Sequence, residues 1–386
     1  MQSVAQGWLM HRLTSSALML GVLTFTQFVP VLLFSLWAGA IADRVDKRRM
    51  LLVTQSFALA QAAALATLVS LGIARPWMVL VLAFLYGTFN AFDLPVRQSF
   101  LVELVGKEDL TNGIALNSAA FNSARVVGPA IAGILVATVG EAGCFWINAV
   151  SYVAVLASLA RIRIDRVERA AGPRAALLEG VRYAARTGPI RNLLLLLGVM
   201  SGLGFQYTVL LPVYTRDILH AGPGAFGLLV SAFGVGSLLS AVLMTRRLDR
   251  WDLRRNLLIG LSCAALGMAV FAWSCTLALS LVGGFLAGFG LILYVASTNT
   301  LLQITTEDRL RGRVMSLYTL MFIGTAPFGA LLAGTIAQRY GAPWATTLSA
   351  AVLLAGVVWT AWRLRVLAAR EAAAVAPPPT HTEKVG

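Results

Sequence analysis

About eleven apolar runs, each close to twenty residues long and parted by short polar loops, leave this chain few ways to fold. They fall near 17–42, 50–72, 77–102, 113–139, 142–161, 191–215, 223–245, 256–275, 278–302, 313–337 and 343–363. A helix rises about 1.5 Å per residue, so about twenty apolar residues cross the roughly 30 Å of a bilayer core. The alternative membrane architecture, a β-barrel, needs segments of about ten residues with alternating polarity, and that alternation is absent. Composition agrees: 58% of the 386 residues are hydrophobic and 12% are charged, against about 25% charged in a soluble domain. The chain is therefore read as an all-α polytopic membrane protein in contact with the lipid bilayer.

The net charge of +14 would point to nucleic acid in a soluble protein. Here position matters more than the sum, and no nucleic-acid partner is expected. Of the 31 Lys and Arg residues, 26 fall in alternate loops and the C-terminal tail, while Arg12, Arg75, Arg216 and Arg339 fall on the other side and Arg125 inside a run. Positive charge is retained in the cytoplasm, so the basic loops and the C terminus are expected there, in a bacterial-type inner (plasma) membrane.

Two charged knots punctuate the apolar sequence. Asp43-Arg-Val-Asp-Lys-Arg-Arg49 and Asp249-Arg-Trp-Asp-Leu-Arg-Arg255 share the pattern Asp-Arg-x-Asp-x-Arg-Arg, 206 residues apart. A second pair, Glu108-Asp-Leu-Thr-Asn-Gly113 and Glu307-Asp-Arg-Leu-Arg-Gly312, recurs at an offset of 199, and Pro129 roughly matches Pro327. Landmarks repeated in the same order argue for two homologous halves. The expected organisation is an N-terminal helical half over 1–161, a cytoplasmic linker over 162–190, a C-terminal helical half over 191–365 and a disordered tail over 366–386. Symmetry asks for six helices per half, so Met1–Leu13 is expected to be the remainder of an incomplete first helix. Within the linker, 175–186 reads as an amphipathic helix with Leu178, Val181 and Ala185 on its apolar face.

These landmarks resemble the major facilitator superfamily. Its loop between the second and third helices carries Gly-x-x-x-Asp-Arg-x-Gly-Arg-Lys/Arg, matched here by Gly39, Asp43, Arg44, Arg48 and Arg49, with Asp46 in place of the second glycine. That departure, together with Asp93-Leu-Pro-Val-Arg-Gln98, Ala115-Leu-Asn-Ser118, Arg125-Val-Val-Gly-Pro-Ala130 and Glu179-Gly-Val-Arg-Tyr183, resembles the drug and siderophore exporter branch that includes the enterobactin exporter and macrolide efflux proteins. The antiporter motif of the fifth helix is present as Gly128-Pro-Ala-Ile-Ala-Gly133, with Ala132 for one glycine.

The resemblance implies two six-helix halves that rock about a central site and export a small amphiphilic molecule, siderophore or drug-like in the sense of that branch, by proton antiport. It places Asp43 against the start of the eleventh helix, near Arg311–Val314, as a cytoplasmic latch. On that reading the gating residues are Gly39, Asp43, Arg44, Arg48, Arg49, Gly128, Pro129 and Gly133. The alternative for the basic residues is that they fix orientation and meet anionic headgroups. Thr245 stands where Gly39 does, so close helix contact is expected mainly at the first knot.

Arg125 lies about 18 Å along its helix from Gly113, near the midplane, where facing lipid costs about 3 kcal/mol or more. It shares a helical face with Ser118 and Asn122. A substrate contact and a structural hydrogen-bond network both remain open for it. Asp93 is the best intramembrane acid, and with Arg97 one turn on it either carries a proton or forms a neutralising pair. Glu103, nearer the surface, is expected to be solvated. In the second half Gln206, Tyr207, Tyr294 and Asn299 lie at cavity depth.

Cys144, Cys263 and Cys275 all fall in apolar sequence and read as small buried hydrophobes. His11, His220 and His381 are scattered, and no metal or other cofactor is expected. No phosphate loop or nucleophile motif supports an enzyme. The expected partners are a small-molecule substrate, lipid and protons, with the chain a monomer. A lysophospholipid flippase, or a non-transporting scaffold or receptor on the same fold, are the alternatives.

Overall fold

The computed structural model describes residues 1–42, 45–106, 109–162, 176–247 and 252–375. These form fourteen α-helices and two π-helical turns, with no strand among the described residues. Ten helical segments are long and apolar enough to cross a membrane. A bilayer core offers no water to an open backbone, so helices that satisfy their own hydrogen bonds are the form such apolar runs take.

The helices follow the apolar runs closely. α1 is Gln2–Thr14, α2 Ala17–Ala42, α3 Lys47–Ser70 and α4 Pro76–Val105. α5, Leu110–Arg161, is 52 residues long but breaks at Gly140, whose φ of 73° is a left-handed conformation that glycine adopts without strain. Its two arms, 110–139 and 141–161, are each of membrane length, which recovers the two separate runs. After the linker helix α6 (Ala176–Arg186) come α7 (Gly188–Val199), α8 (Tyr207–Val213), α9 (Pro223–Arg247), α10 (Leu253–Ala272) and α11 (Leu277–Thr305). α12 (Asp308–Gly324), α13 (Ala326–Tyr340) and α14 (Ala342–Val375) complete the chain. α14 runs past residue 365, where a disordered tail was expected, as far as Val375.

The repeated knots have a local structural cause. Asp46 caps α3, accepting from the Arg49 amide, and Asp252 caps α10, accepting from the Arg254 amide. Their backbones match, with φ/ψ of −66°/111° and −65°/112°. Aspartate is among the strongest N-caps, so the second acid of each Asp-Arg-x-Asp motif starts the next helix. This is also what Asp46 does in place of glycine.

Two helices in the second half are broken where a plain hydropathy reading sees one run. Between α7 and α8 lies the π-turn Met200–Gly204, and the helix stops at Phe205 (φ −111°, ψ 38°). Between α12 and α13 the break falls at Thr325, just before Ala326 and Pro327. A proline opens a helix well and continues one badly. The breaks face each other: Ser201 Oγ donates to the Phe322 carbonyl, and a Cβ placed on Gly329 would lie 1.4 Å from the Gly202 carbonyl oxygen.

Close packing elsewhere also runs through small residues. α10 and α11 meet along Gly260 and Gly267 on one side and Gly283 and Gly290 on the other. Within the first half, Leu51, Val96, Phe100 and Leu159 form a small separate core at the end of the molecule that carries the knots, the knot end. At the opposite, far end, exposed Trp77, Trp146, Trp273, Tyr340 and Trp344 form the aromatic girdle usual at a membrane interface.

The linker helix forms as expected, but with a different face inward. Gly180 and Ala184 are buried while Val181 and Ala185 are exposed, and Leu178 has a side chain outside the described residues. The reason is close approach to α12: a Cβ on Gly180 would fall 2.7 Å from Arg313 Cβ. Glu179 then reaches Arg309 at 3.0 Å and Arg313. The hydrogen bond from Arg313, with the charges of Arg313 and Arg309, holds the Glu179 carboxyl below the ordinary glutamate range.

Two outcomes follow from this packing. Gly329→Ala should lower the thermal midpoint in detergent by about 5 °C or more, because the added methyl meets backbone that cannot yield. Gly312→Ala, with open space around it, should leave the midpoint unchanged. For α6, a folded-state carboxyl held low stabilises docking above the ordinary glutamate range and loses that contribution as pH falls through its depressed value. Proteolytic protection of α6 should therefore persist at pH 7 and fade on acidification below the ordinary glutamate range; Glu179→Gln should show the low-pH pattern already at pH 7.

Candidate functional site

At the knot end, each described charge of the first knot has a partner. Arg48 donates from Nε to the Leu159 carbonyl at 2.9 Å and from Nη2 to the Ala160 carbonyl at 2.6 Å. Those are last-turn carbonyls of α5, which have no partner within the helix, so Arg48 ties the start of α3 to the end of α5. Lys47 pairs with Glu103 of α4 at 2.5 Å, so Glu103 is partly buried and bridged rather than solvated. Arg49 is exposed and lies 3.9 Å from Asp46. Asp43 and Arg44 fall outside the described residues, as do the immediate surroundings of Gly39.

One turn deeper, Asp93 is 5% exposed and fully engaged. Its Oδ2 accepts from Arg97 Nε at 2.9 Å and Nη2 at 2.8 Å. Its Oδ1 accepts from Thr54 Oγ1 at 2.7 Å and Gln55 Nε2 at 2.8 Å. The pair with Arg97 was legible from spacing; Thr54 and Gln55 on α3 were not. On α5, Gly133 meets Gly227 of α9, where an added Cβ would lie 2.6 Å from the Gly227 Cα. Gly128 has open space around it. The side chains of Ser118, Asn122, Arg125 and Pro129 lie outside the described residues.

Among the second-half residues, Tyr207 stacks on Phe233 with ring centroids 4.0 Å apart and an interplanar angle of 1°. Gln206 is placed differently from the expectation: its Nε2 donates to the Ser201 and Gly202 carbonyls at 2.7 and 2.9 Å. It fills the bonds that the π-turn opens. Tyr294 is fully buried against Phe205 rather than lining open space, and its hydroxyl has no hydrogen-bond partner among the described residues. Asn299 is half-buried and accepts from Gln303 Nε2 at 2.6 Å. Of the cysteines, Cys144 is buried, whereas Cys275 is exposed in the turn between α10 and α11.

Helices of the first and second halves meet chiefly toward the far end. An added Cβ on Gly21 of α2 would lie 2.6 Å from the Ala330 carbonyl of α13, and one on Gly334 would lie 2.7 Å from the Ala17 carbonyl. Ser16 donates to Gln338 Oε1 at 2.9 Å, and Trp8 rests on Phe226 with ring centroids 4.8 Å apart. Beneath this closure, between α1, α8 and α9, is a cavity of about 130 Å³ lined by Ser3, Gly7, Tyr207, Thr208, Phe233 and Ser237 among others. Ser3 lies twelve residues below the α1 cap at Ser15, about 18 Å along the helix. The cavity is aromatic with a few hydroxyls, and in this conformation it is smaller than the roughly 300–1,000 Å³ of a typical small-molecule site. Of these residues only Tyr207 was singled out from sequence; nothing in a short N-terminal helix marks Ser3 or Gly7.

The chain matches the family model described as transmembrane secretion effector over residues 1–385. It is 28% identical over 351 residues to the staphyloferrin A transporter of Staphylococcus aureus, covering 88% of this chain and 85% of that one. It is 29% identical over 372 residues to the multidrug efflux pump Tap of Mycolicibacterium fortuitum, covering 92% and 90%. Among solved structures, the nucleoside transporter NupG superposes with a TM-score of 0.72 at 10% identity over 93% of this chain and 96% of that one. A bacterial homologue of the human lysosomal transporter Spinster, in an inward-facing and unoccupied conformation, gives 0.68 at 14% identity over 95% and 92%. The chain thus belongs to the transmembrane secretion effector family of the major facilitator superfamily, and is a multi-pass membrane transporter of small molecules rather than an enzyme.

Proposed function

We propose that this transporter exports an amphiphilic small molecule, siderophore or drug-like, by alternating access with proton antiport. The halves 1–161 and 191–365 are the moving bodies and 162–190 the linker between them. The observation that carries the reading is the family match along residues 1–385, on a fold whose halves meet toward the far end with a small cavity between α1 and α8–α9 beneath the contact. Support for export comes from the two relatives, one named for a siderophore and one for multidrug efflux. The basic loops put the knot end and the C terminus in the cytoplasm, so this conformation is shut toward the outside.

On this reading Arg48 and Arg49 belong to the gating end with Gly39, Asp43 and Arg44; Gly133 forms the helix crossing about which the halves tilt, and Gly128 and Pro129 belong to the same motif one turn before it. Tyr207 meets substrate directly. Arg125, Asn122 and Ser118, which share one helical face in sequence, supply polar groups to the pathway. Gln206, Tyr294 and Asn299 act on the helices around the cavity. Asp93 is the coupling acid, held by Arg97 of its own helix and by Thr54 and Gln55 of α3, so movement of α3 against α4 changes its surroundings.

Cells lacking the gene should accumulate an exported fluorescent dye or ferric-chelator probe, and restoring the gene should lower accumulation unless a protonophore is present. Equal accumulation with and without the gene, across a panel of both substrate classes, removes the export reading; export that ignores the protonophore removes proton coupling alone. Asp93→Asn should cut export at least about tenfold at unchanged membrane level, since it strips Arg97 of its counter-charge.

A further inference from the structure

His11 on α1 is 1% exposed, and its Nε2 lies 3.1 Å from Asp217 of the π-turn Tyr214–Ile218. The pair joins the two halves. Every other ion pair with both partners described stays within one half or ties α6 to α12. It also stands directly over the cavity: Ser3, Gly7 and His11 are spaced four apart and share one face of α1, and Ser3 and Gly7 line the cavity. Across from them, a Cβ on Gly7 would sit 3.9 Å from Pro212 Cγ, one turn and a little more before Asp217. Asp217 is 45% exposed at the far end while the imidazole is sealed beneath it.

We infer that His11 and Asp217 form a proton-dependent outer latch of the transport cycle, the far-end counterpart of the knot; this rests on the alternating-access reading. With a neutral imidazole the halves share a single hydrogen bond from Nε2. With an imidazolium the same contact becomes an ion pair, both partners carrying charge. Imidazole is the side chain whose charge changes between about pH 5 and 8. His11 Nδ1 is buried without a hydrogen-bond partner among the described residues, so Asp217 is the group that answers to the charge of the ring.

Among the described residues, the other ionisable groups on α1 and the elements packed against it include the Met1 amine, Cys144 and Tyr152 of α5, and Tyr214, whose hydroxyl donates to the Ala272 carbonyl. Arg12 of α1 is bound at 2.8 Å to Glu141 of α5. α2 carries no charge, and α8 carries only Tyr207. On α4, Asp93 holds Arg97 and Glu103 holds Lys47 at the knot end, leaving Tyr86; Arg216, beside Asp217, is exposed.

Opening outward parts the pair and wets His11. A proton taken there from outside water re-forms the ion pair and draws the far end shut, returning the site to the cytoplasmic side. External acid therefore favours the closure seen here, the direction an exporter driven by inward protons requires.

The test uses the full chain in right-side-out vesicles, with Cys144, Cys263 and Cys275 replaced by Ala and Ser3→Cys as reporter, labelled by a membrane-impermeant maleimide. Labelling, corrected for the maleimide's own pH dependence with a free-thiol standard, should be about fivefold slower at external pH 5.5 than at pH 8. His11→Asn should abolish that difference. Asp217→Asn should raise labelling at both pH values, and exchanging the two residues (His11→Asp with Asp217→His) should restore the pH dependence. Unchanged pH dependence in His11→Asn, or no response to Asp217→Asn, overturns the latch. If the single variants do not reach the membrane, the exchanged pair decides: a pH-independent reporter there overturns it too. Labelling does not need substrate, so a pH-gated reporter in a chain that exports nothing would count against the export reading alone. Proton-driven export with a reporter blind to His11 would count against the latch alone.

Discussion

In a bilayer core an unpaired peptide group has no water to turn to, and the structure is organised by that shortage. Unbroken helices meet it by themselves. The second half, however, interrupts two of its helices, and each interruption has to be repaid in hydrogen bonds from nearby. Gln206 gives its amide to two carbonyls at the α7–α8 break. Ser201 gives its hydroxyl to Phe322, and Thr325 bonds back to Met321 at 2.7 Å. Because the breaks abut, with Gly329 pressed against Gly202, the polar backbone they expose is shielded by protein. Irregular backbone at this depth is tolerated only where protein or a cavity covers it.

The same shortage explains where charge sits. Nearly all of it lies at helix ends, and there it works on backbone. Asp46 and Asp252 serve amides at helix starts, and Arg48 serves carbonyls at a helix end. The repeated Asp-Arg-x-Asp pattern is thus partly a capping pattern, which accounts for its survival in both copies even though Thr245 replaces the glycine of the first. Asp93 is the acid carried deepest among the described residues of the first half, and four donors surround it.

Much of the fold was legible because hydropathy over twenty residues is a strong local signal. Most of the apolar runs, the two halves of α5 and the linker helix appear as helix where the sequence puts them, while the runs near 191–215 and 313–337 are each broken in two. Contacts that depend on distant residues were not legible. Thr54 and Gln55 stand 39 and 38 residues before Asp93, and no period connects them. The inward face of α6 was misassigned because apolar Val181 and Ala185 outweigh Gly180 in any count of hydrophobicity, although Gly180 is what lets the helix approach Arg313. Gln206 looked like a cavity residue by depth alone; the π-turn that claims its amide leaves no mark beyond a run of glycines. His11 and Asp217 were passed over because neither belongs to a motif and 206 residues separate them.

A contrast in bonding separates the inside of each half from the seam between them. Within the first half, Arg48, Asp93 and the Arg12–Glu141 pair cross-link helices through charged hydrogen bonds, about 1.5–3 kcal/mol each where they are buried. Within the second half, α10 and α11 interlock along four glycines, and α6 is pinned to α12 by Glu179. The seam is smoother. Gly21, Gly133, Gly227 and Gly334 let backbones touch, and among the described residues the polar bonds across the join include Ser16 and the Leu18 amide to Gln338, and His11 to Asp217. Such a surface gives up mainly van der Waals contact when it opens, whereas opening inside either half would strand charges and peptide groups. On the proposed alternating-access reading the chain therefore parts along the seam first, and the polar pairs on that seam are where a change of charge tilts the balance.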